Sequence, residues 1–199
     1  LLCALWFYSY NYTTKHGDVW AWGAAGAAEY CMADNGLDRL VVLIIDDHPN
    51  MRKIVNTILH ALGIQFVYEA SDGADGFEAM RAYNPDIIIV DWEMPGIDGI
   101  EFTELVRRAS DSPNPYVPIV FLTSYSDRKH VCRARDAGVT EFLAKPVSVS
   151  AIYLRLMSII NKPRPFVRTP QYFGPCRRRH KSRDYTGRER RLAEQDANN

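Results

Sequence analysis

Nowhere in the chain does an apolar run approach the ~18 residues that a membrane-spanning helix requires, so no transmembrane segment is expected. Cysteine is sparse and scattered: positions 3, 31, 132 and 176 form no CxxC pair, which argues against a zinc ribbon or a thiol redox motif and suits a reduced, cytoplasmic setting. Net charge is missing too, since 24 Lys and Arg balance 24 Asp and Glu, yet the balance is uneven along the chain. Residues 163–199 carry ten basic residues against four acids, a net +6, which leaves −6 for the remainder. The opening, through Cys31, has no basic start, and its short apolar run soon gives way to Asn, Thr, Lys, His and Asp, so it makes a poor secretion signal. It also shows no sustained period, whereas Met32-Ala33 would make an ordinary translation start just ahead of the first regular segment. Residues 1–36 are therefore read as a leader, disordered or upstream of the true start.

What is present is enough for one core with flanking segments: 199 residues at 47% hydrophobic content. From residue 38 the pattern becomes regular. "RLVVLII" and "DIIIV" read as strands buried on both faces, and "QFVYEA", "VPIVFL" and "EFLA" as three shorter ones. Helical periods fall between them. Met51, Ile54, Val55, Ile58, Leu59 and Leu62 recur on one helix face, with Pro49 suited to the first turn and Gly63 to the end. Shorter helices are expected at 74–83, 99–108 and 128–137, and a last one carries Ile152, Leu156, Ile159 and Ile160. Five strands alternating with five helices predict an α/β fold, a doubly wound parallel sheet with helices on both faces. A site in such a sheet forms at the carboxyl ends of the strands, where strand order reverses.

Those ends carry reactive side chains. Asp46 and Asp47 follow the first strand, Asp91 the third, Thr123 and Ser124 the fourth, and Lys145 the fifth. An Asp-Asp pair alone is more often a solvated turn, and a lone Lys-Pro or Thr-Ser says less still, but four such features at equivalent strand ends are hard to attribute to turns. Three carboxylates sharing one crevice repel, each pair at ~4 Å costing about 4 kcal/mol at an effective dielectric near 20. A cation is expected to relieve this, and an oxygen-only ligand set with positions left for water and phosphate suits Mg²⁺. Lys145 offers an ammonium to one phosphoryl oxygen and the Thr123 hydroxyl a donor to another. The pattern is that of a phosphoryl-transfer site with Asp91 as nucleophile.

"LIIDDHPNMRKIV", "VDWEMPGIDG", "FLTS" and "FLAKP" stand in an order and spacing that resemble the receiver domain of two-component response regulators, most closely the stand-alone chemotaxis type. The resemblance covers residues 37–162 and implies a flavodoxin-like sheet of strand order 2-1-3-4-5. It implies that Asp91 accepts a phosphoryl group from a histidine kinase or a histidine phosphotransfer protein. Asp47, Asp91 and the Glu93 backbone carbonyl would bind Mg²⁺ directly, with Asp46 acting through water. Thr123 would sense the phosphate, Lys145 would pair with it, and Phe142 would be the aromatic switch. A downstream protein would read the face made by the fourth helix, fifth strand and fifth helix, and the Lys145-Pro146 bond resembles one that is often cis in the family. Two features depart from the commoner pattern. Glu93 and Tyr125 occupy positions that tune how fast water attacks the acyl phosphate, and Phe142 lacks the hydroxyl of the usual tyrosine, so burial alone must drive its switch.

The remaining segment, 163–199, is rich in Pro and Arg and reads as a basic, disordered tail with no output domain. Phe166, Tyr172 and Phe173 could pack back onto the receiver, and the Arg177–Arg179 run could meet nucleic acid or an acidic partner. Two rival functions are a binding module acting through that tail and a haloacid dehalogenase-type phosphatase. The latter is suggested by a second acid, Glu93, two residues after Asp91, but those enzymes place their nucleophile after the first strand.

Overall fold

The computed structural model describes residues 37–124 and 128–177; the leader, Tyr125 and residues 178–199 lie outside them. After a 3-10 turn at Leu37–Arg39, the elements run β1 (Val41–Ile45), α1 (Pro49–Ala61), β2 (Phe66–Ala70), α2 (Gly73–Tyr83), β3 (Ile87–Asp91), α3 (Gly99–Arg108), β4 (Ile119–Thr123), α4 (Arg128–Ala137), β5 (Glu141–Ala144) and α5 (Val149–Asn161). A hairpin of β6 (Phe166–Arg168) and β7 (Phe173–Pro175) follows. The five main strands form one sheet, all neighbours parallel, in the order β2-β1-β3-β4-β5.

Continuous apolar strands arise because both faces of the sheet are covered. With side chains alternating along each strand, Leu43, Ile45, Ile88, Val90, Ile119 and Phe121 face one cluster with α2, α3 and α4. Val42, Ile44, Ile87, Ile89, Val120 and Leu122 face the other, with α1 and α5. Each fully buried Ile, Leu or Val contributes about 1.5–3 kcal/mol relative to an exposed one. One residue of the expected α1 face departs: Ile54 is 48% exposed. The helix turn places it at the margin of the stripe, while Val55 and Leu59 take the centre.

Local chemistry sets the helix starts. Asp72 caps α2 by accepting from the Ala74 and Asp75 amides. Ser148 caps α5 through the Ala151 amide, and Asp98 with Glu101 forms a capping box on α3; such caps contribute about 1 kcal/mol each. The box matters for the site, because α3 begins close behind Asp91.

The tail expectation needs correcting in part. Residues 163–177 form the antiparallel hairpin, and it packs onto the body at the amino ends of β4 and β5. Phe166 and Phe173 meet Tyr116 edge-on at 5.3 and 5.2 Å. Tyr172 is buried and its hydroxyl donates to the Pro175 carbonyl at 2.6 Å. Arg107, 3% exposed, donates to the Gly138 and Pro115 carbonyls and stacks its guanidinium 5.1 Å from the Phe166 ring. Arg164 donates to the Thr140 and Cys176 carbonyls. Gly138 turns at φ +109, and a Cβ there would lie 2.9 Å from the Phe173 carbonyl, so only glycine lets β7 approach. Strands of three residues are too short to show a period, and the body residues they pack against, Arg107 and Tyr116, are distant in sequence, so a pattern reading passes over them. The packing of Phe166, Tyr172 and Phe173 onto the body agrees with the expectation for those aromatics.

Candidate functional site

Parallel register brings the reactive residues to one edge. Asp46 follows β1 and is wholly buried; Asp91 closes β3 at 5% exposure. Asp91 pairs with Leu122 on β4, so Thr123, buried at the end of β4, stands one position further along the adjacent strand. Lys145 follows β5, and its amide donates to the Thr123 carbonyl at 2.9 Å. The Lys145-Pro146 bond is cis.

The side chains converge as charges. Lys145 Nζ lies 2.7 Å from Asp91 Oδ1 and 3.5 Å from Asp46 Oδ2. Asp91 Oδ1 also accepts from the Trp92 amide at 2.8 Å. Burial pushes the Asp91 carboxyl above the ordinary carboxylate range; hydrogen bonding and charge from Lys145 offset part of that, and the neighbouring Asp46 adds to it. Asp46 is held from behind, its Oδ1 accepting from the His48 amide at 2.8 Å and its carbonyl accepting from Arg52 Nη1 at 2.7 Å. Arg52 is itself paired with Glu69 at 3.2 Å.

One ammonium faces three carboxylates here, and Asp46 Oδ2 is buried without a hydrogen-bond partner. Asp46, Asp47, His48 and Asp91 place one donor atom each within 4.8 Å of one another. A buried acceptor that makes no hydrogen bond, beside an excess of negative charge, fits a bound divalent cation. Against the cluster lies an open depression of about 580 Å³, lined among others by Asp47, His48, Trp92, Glu93, His130 and Arg133.

Asp46, Asp47, Asp91 and Lys145 are thus brought together as the chain pattern predicts, with Thr123 at the neighbouring strand end. Phe142 stands apart on β5, half-buried, with its ring 6.3 Å from that of Phe121. Phe121 in turn meets Trp92 edge-on at 5.4 Å, so three aromatics run from beside Asp91 to the fifth strand. Sequence reasoning passed over His48, which follows the acid pair directly, and His130, whose ring packs 5.4 Å from Trp92. His48 had a signal in its adjacency to Asp47. His130 had none, because only the seating of α4 brings it near.

Among curated proteins, the chemotaxis protein CheY-3 of Vibrio cholerae is 30% identical over 121 residues, 61% of this chain and 92% of that protein. The chemotaxis protein CheY of Pseudomonas aeruginosa is also 30% identical over 121 residues, 61% of this chain and 96% of its own length. Among solved structures, chemotaxis protein CheY4 of Vibrio cholerae superposes at TM-score 0.56 and 28% identity, over 60% of this chain and 98% of that one. A putative response regulator from Chloroflexus aurantiacus gives a TM-score of 0.57 at 27% identity, over 62% and 98%. The family model of the response regulator receiver domain matches residues 42–157, from the second residue of β1 into α5. With more than half its length so matched, the chain belongs to the response regulator receiver domain family.

Proposed function

We propose that Asp91 is the phosphoacceptor of this receiver and that its phosphorylation by a histidine kinase or histidine phosphotransfer protein switches a protein-binding surface. The observation that carries the reading is the Asp91 carboxylate, buried at the end of β3 and held by Lys145 at 2.7 Å within a ring of acids that needs a cation. A carboxylate oxygen of Asp91 forms the new bond to phosphorus as the bond to the donor nitrogen breaks, which converts a carboxylate into a mixed anhydride. Asp46, Asp47 and Asp91, with the Glu93 carbonyl, would hold Mg²⁺, which when bound neutralises the crowded carboxylates and the phosphoryl oxygens. Lys145 moves from the carboxylate to a phosphoryl oxygen, and Thr123 donates to another. Inward movement of Thr123 leaves room for Phe142 to turn toward Phe121, which repacks the face of α4, β5 and α5 that a downstream protein reads.

This is signalling by a modified surface, in a cytoplasmic setting, and no turnover of an external substrate is required. A haloacid dehalogenase-type reading is disfavoured because the nucleophile follows β3 and not β1. Contact of the basic tail with nucleic acid falls mostly on residues 178–199, outside the described residues. Arg177, the first of that basic run, stacks 4.0 Å from the Tyr172 ring and pairs with Asp136 at 3.3 Å. The decisive experiment is labelling with acetyl phosphate or a phosphorylated kinase in Mg²⁺. Asp91→Asn is expected to abolish the label, and undiminished labelling would overturn the assignment.

A further inference from the structure

We infer that His48 is a nitrogen ligand of the cation pocket, so that the site takes a borderline first-row divalent cation such as Co²⁺ more tightly than it takes Mg²⁺. The inference rests on the reading of the Asp91 pocket as a divalent-cation site and deepens it.

Three observations carry it. The Nδ1 atom of His48 lies 2.7 Å from Asp47 Oδ1 and 3.8 Å from Asp46 Oδ1. With bonds of about 2.1 Å, two ligands of one ion stand at most roughly 4.2 Å apart; the four donors of this cluster lie within 4.8 Å of one another, so a pair at that limit closes by about half an ångström around an ion. Second, Asp46, wholly buried, belongs to the same cluster, and its Oδ2 accepts no hydrogen bond, with Lys145 Nζ 3.5 Å away. Third, His48 stands at the N-cap position of α1 in an extended backbone conformation, yet its side chain makes no cap hydrogen bond. Side chains at that position commonly bond the free amides of the first turn. Here the ring faces the carboxylates, and its amide, by donating to Asp46 Oδ1, anchors it to them. The imidazole side chain is 71% exposed, so it reaches an ion by rotation without unpacking anything.

Chemistry sets the consequence. Mg²⁺ is a hard ion that favours oxygen and dehydrates reluctantly, whereas imidazole suits first-row transition ions, whose affinities rise from Mn²⁺ through Co²⁺ and Ni²⁺ to Cu²⁺ and fall at Zn²⁺. Replacing one water of an all-oxygen shell by a neutral imidazole nitrogen therefore favours Co²⁺ over Mg²⁺. Pro49, directly after His48, limits the backbone freedom of the loop that carries the ring.

The test uses the full chain, titrated with Co²⁺ and separately with Mg²⁺ by calorimetry, in wild type, His48→Gln and Asp46→Asn. Wild type is expected to bind Co²⁺ at least tenfold more tightly than Mg²⁺, with Mg²⁺ displacing Co²⁺ in competition. His48→Gln should lower the ratio of Co²⁺ to Mg²⁺ affinity at least tenfold, and Asp46→Asn should weaken both ions. Pulsed electron paramagnetic resonance of the Mn²⁺-loaded chain should show coupling to a nitrogen nucleus that disappears in His48→Gln. If Mg²⁺ binds and depends on Asp46, but the ratio is unchanged in His48→Gln and the nitrogen coupling persists there or is absent from wild type, His48 only hydrogen-bonds Asp47. The inference is then wrong while the phosphoacceptor reading stands. If neither ion depends on Asp46, the cation pocket itself is refuted.

Discussion

A methyl group added at Gly99 would sit 2.3 Å from the carbonyl oxygen of Asp91, far inside any tolerated contact. Gly99→Ala must therefore push α3 away from the end of β3 that carries Asp91. It is expected to cost about 1–3 kcal/mol in denaturant unfolding, the range of an overpacked core, and to slow Asp91 labelling in parallel. Normal labelling at reduced stability would show that the site tolerates the shift. Asp91 itself carries a strain of charge. Because burial raises its pKa in the folded state, that state holds the proton more tightly than the unfolded chain does. The ionised group is thus a cost above the folded pKa, relieved as pH falls through it toward the ordinary value of 3.8. In a chelator, Asp91→Asn is expected to melt higher than wild type near pH 7, and the gap should close on acidification. Added Mg²⁺ should reverse the order, since the variant gives up a ligand. Thermal denaturation across pH with and without Mg²⁺ checks all three. At this scale Asp46, Asp47, Asp91, Thr123 and Lys145 were legible because each ends an apolar strand, whereas His48 offered only its adjacency to Asp47 and His130 declares itself only by distance.

Elements here are secured by partners that the chain order does not announce. The hairpin of β6 and β7 depends on Arg107 of α3, whose burial lowers its pKa to about 10. This cation has carbonyls and a ring around it, and its Nη2 has no hydrogen-bond partner. Arg107→Ala is expected to cost about 2 kcal/mol by leaving the Gly138 and Pro115 carbonyls without their donor. It should also speed tryptic cleavage after Arg168, read by mass spectrometry. Unchanged cleavage would mean that the aromatic contacts with Tyr116 hold the hairpin alone. The five strands and five helices, by contrast, were visible in advance. Runs such as Ile87–Val90 can only be strands covered on both sides, and α2, α3 and α4 match their expected spans to within a residue.

Across the whole molecule, the proposed acceptor Asp91 and the proposed switch residue Phe142 are linked by packed rings: Trp92, next to Asp91, against Phe121, and Phe121 against Phe142. Trp92 is buried beside the pocket and borders Asp91. In a chain beginning at Met32 it is the only tryptophan, so its emission reports on the pocket. Mg²⁺ with a beryllofluoride phosphate mimic is expected to change that emission, and Asp91→Asn to abolish the mimic's part of the change. A silent wild type would count heavily against a competent pocket.

Hydrophobic period and turn chemistry act over a few residues, so the sequence by itself determined the alternation of strands and helices, the two-sided burial of the sheet and the polar residue each strand delivers to its end. The strand order 2-1-3-4-5 came through family resemblance and not from periodicity. Only the tertiary structure decided that His48 turns toward the acids, that His130 borders the pocket and that a hairpin covers the amino ends of β4 and β5. Each of those outcomes depends on contacts between segments distant in the chain, where the energy lies in what two surfaces do together and neither sequence segment carries it alone.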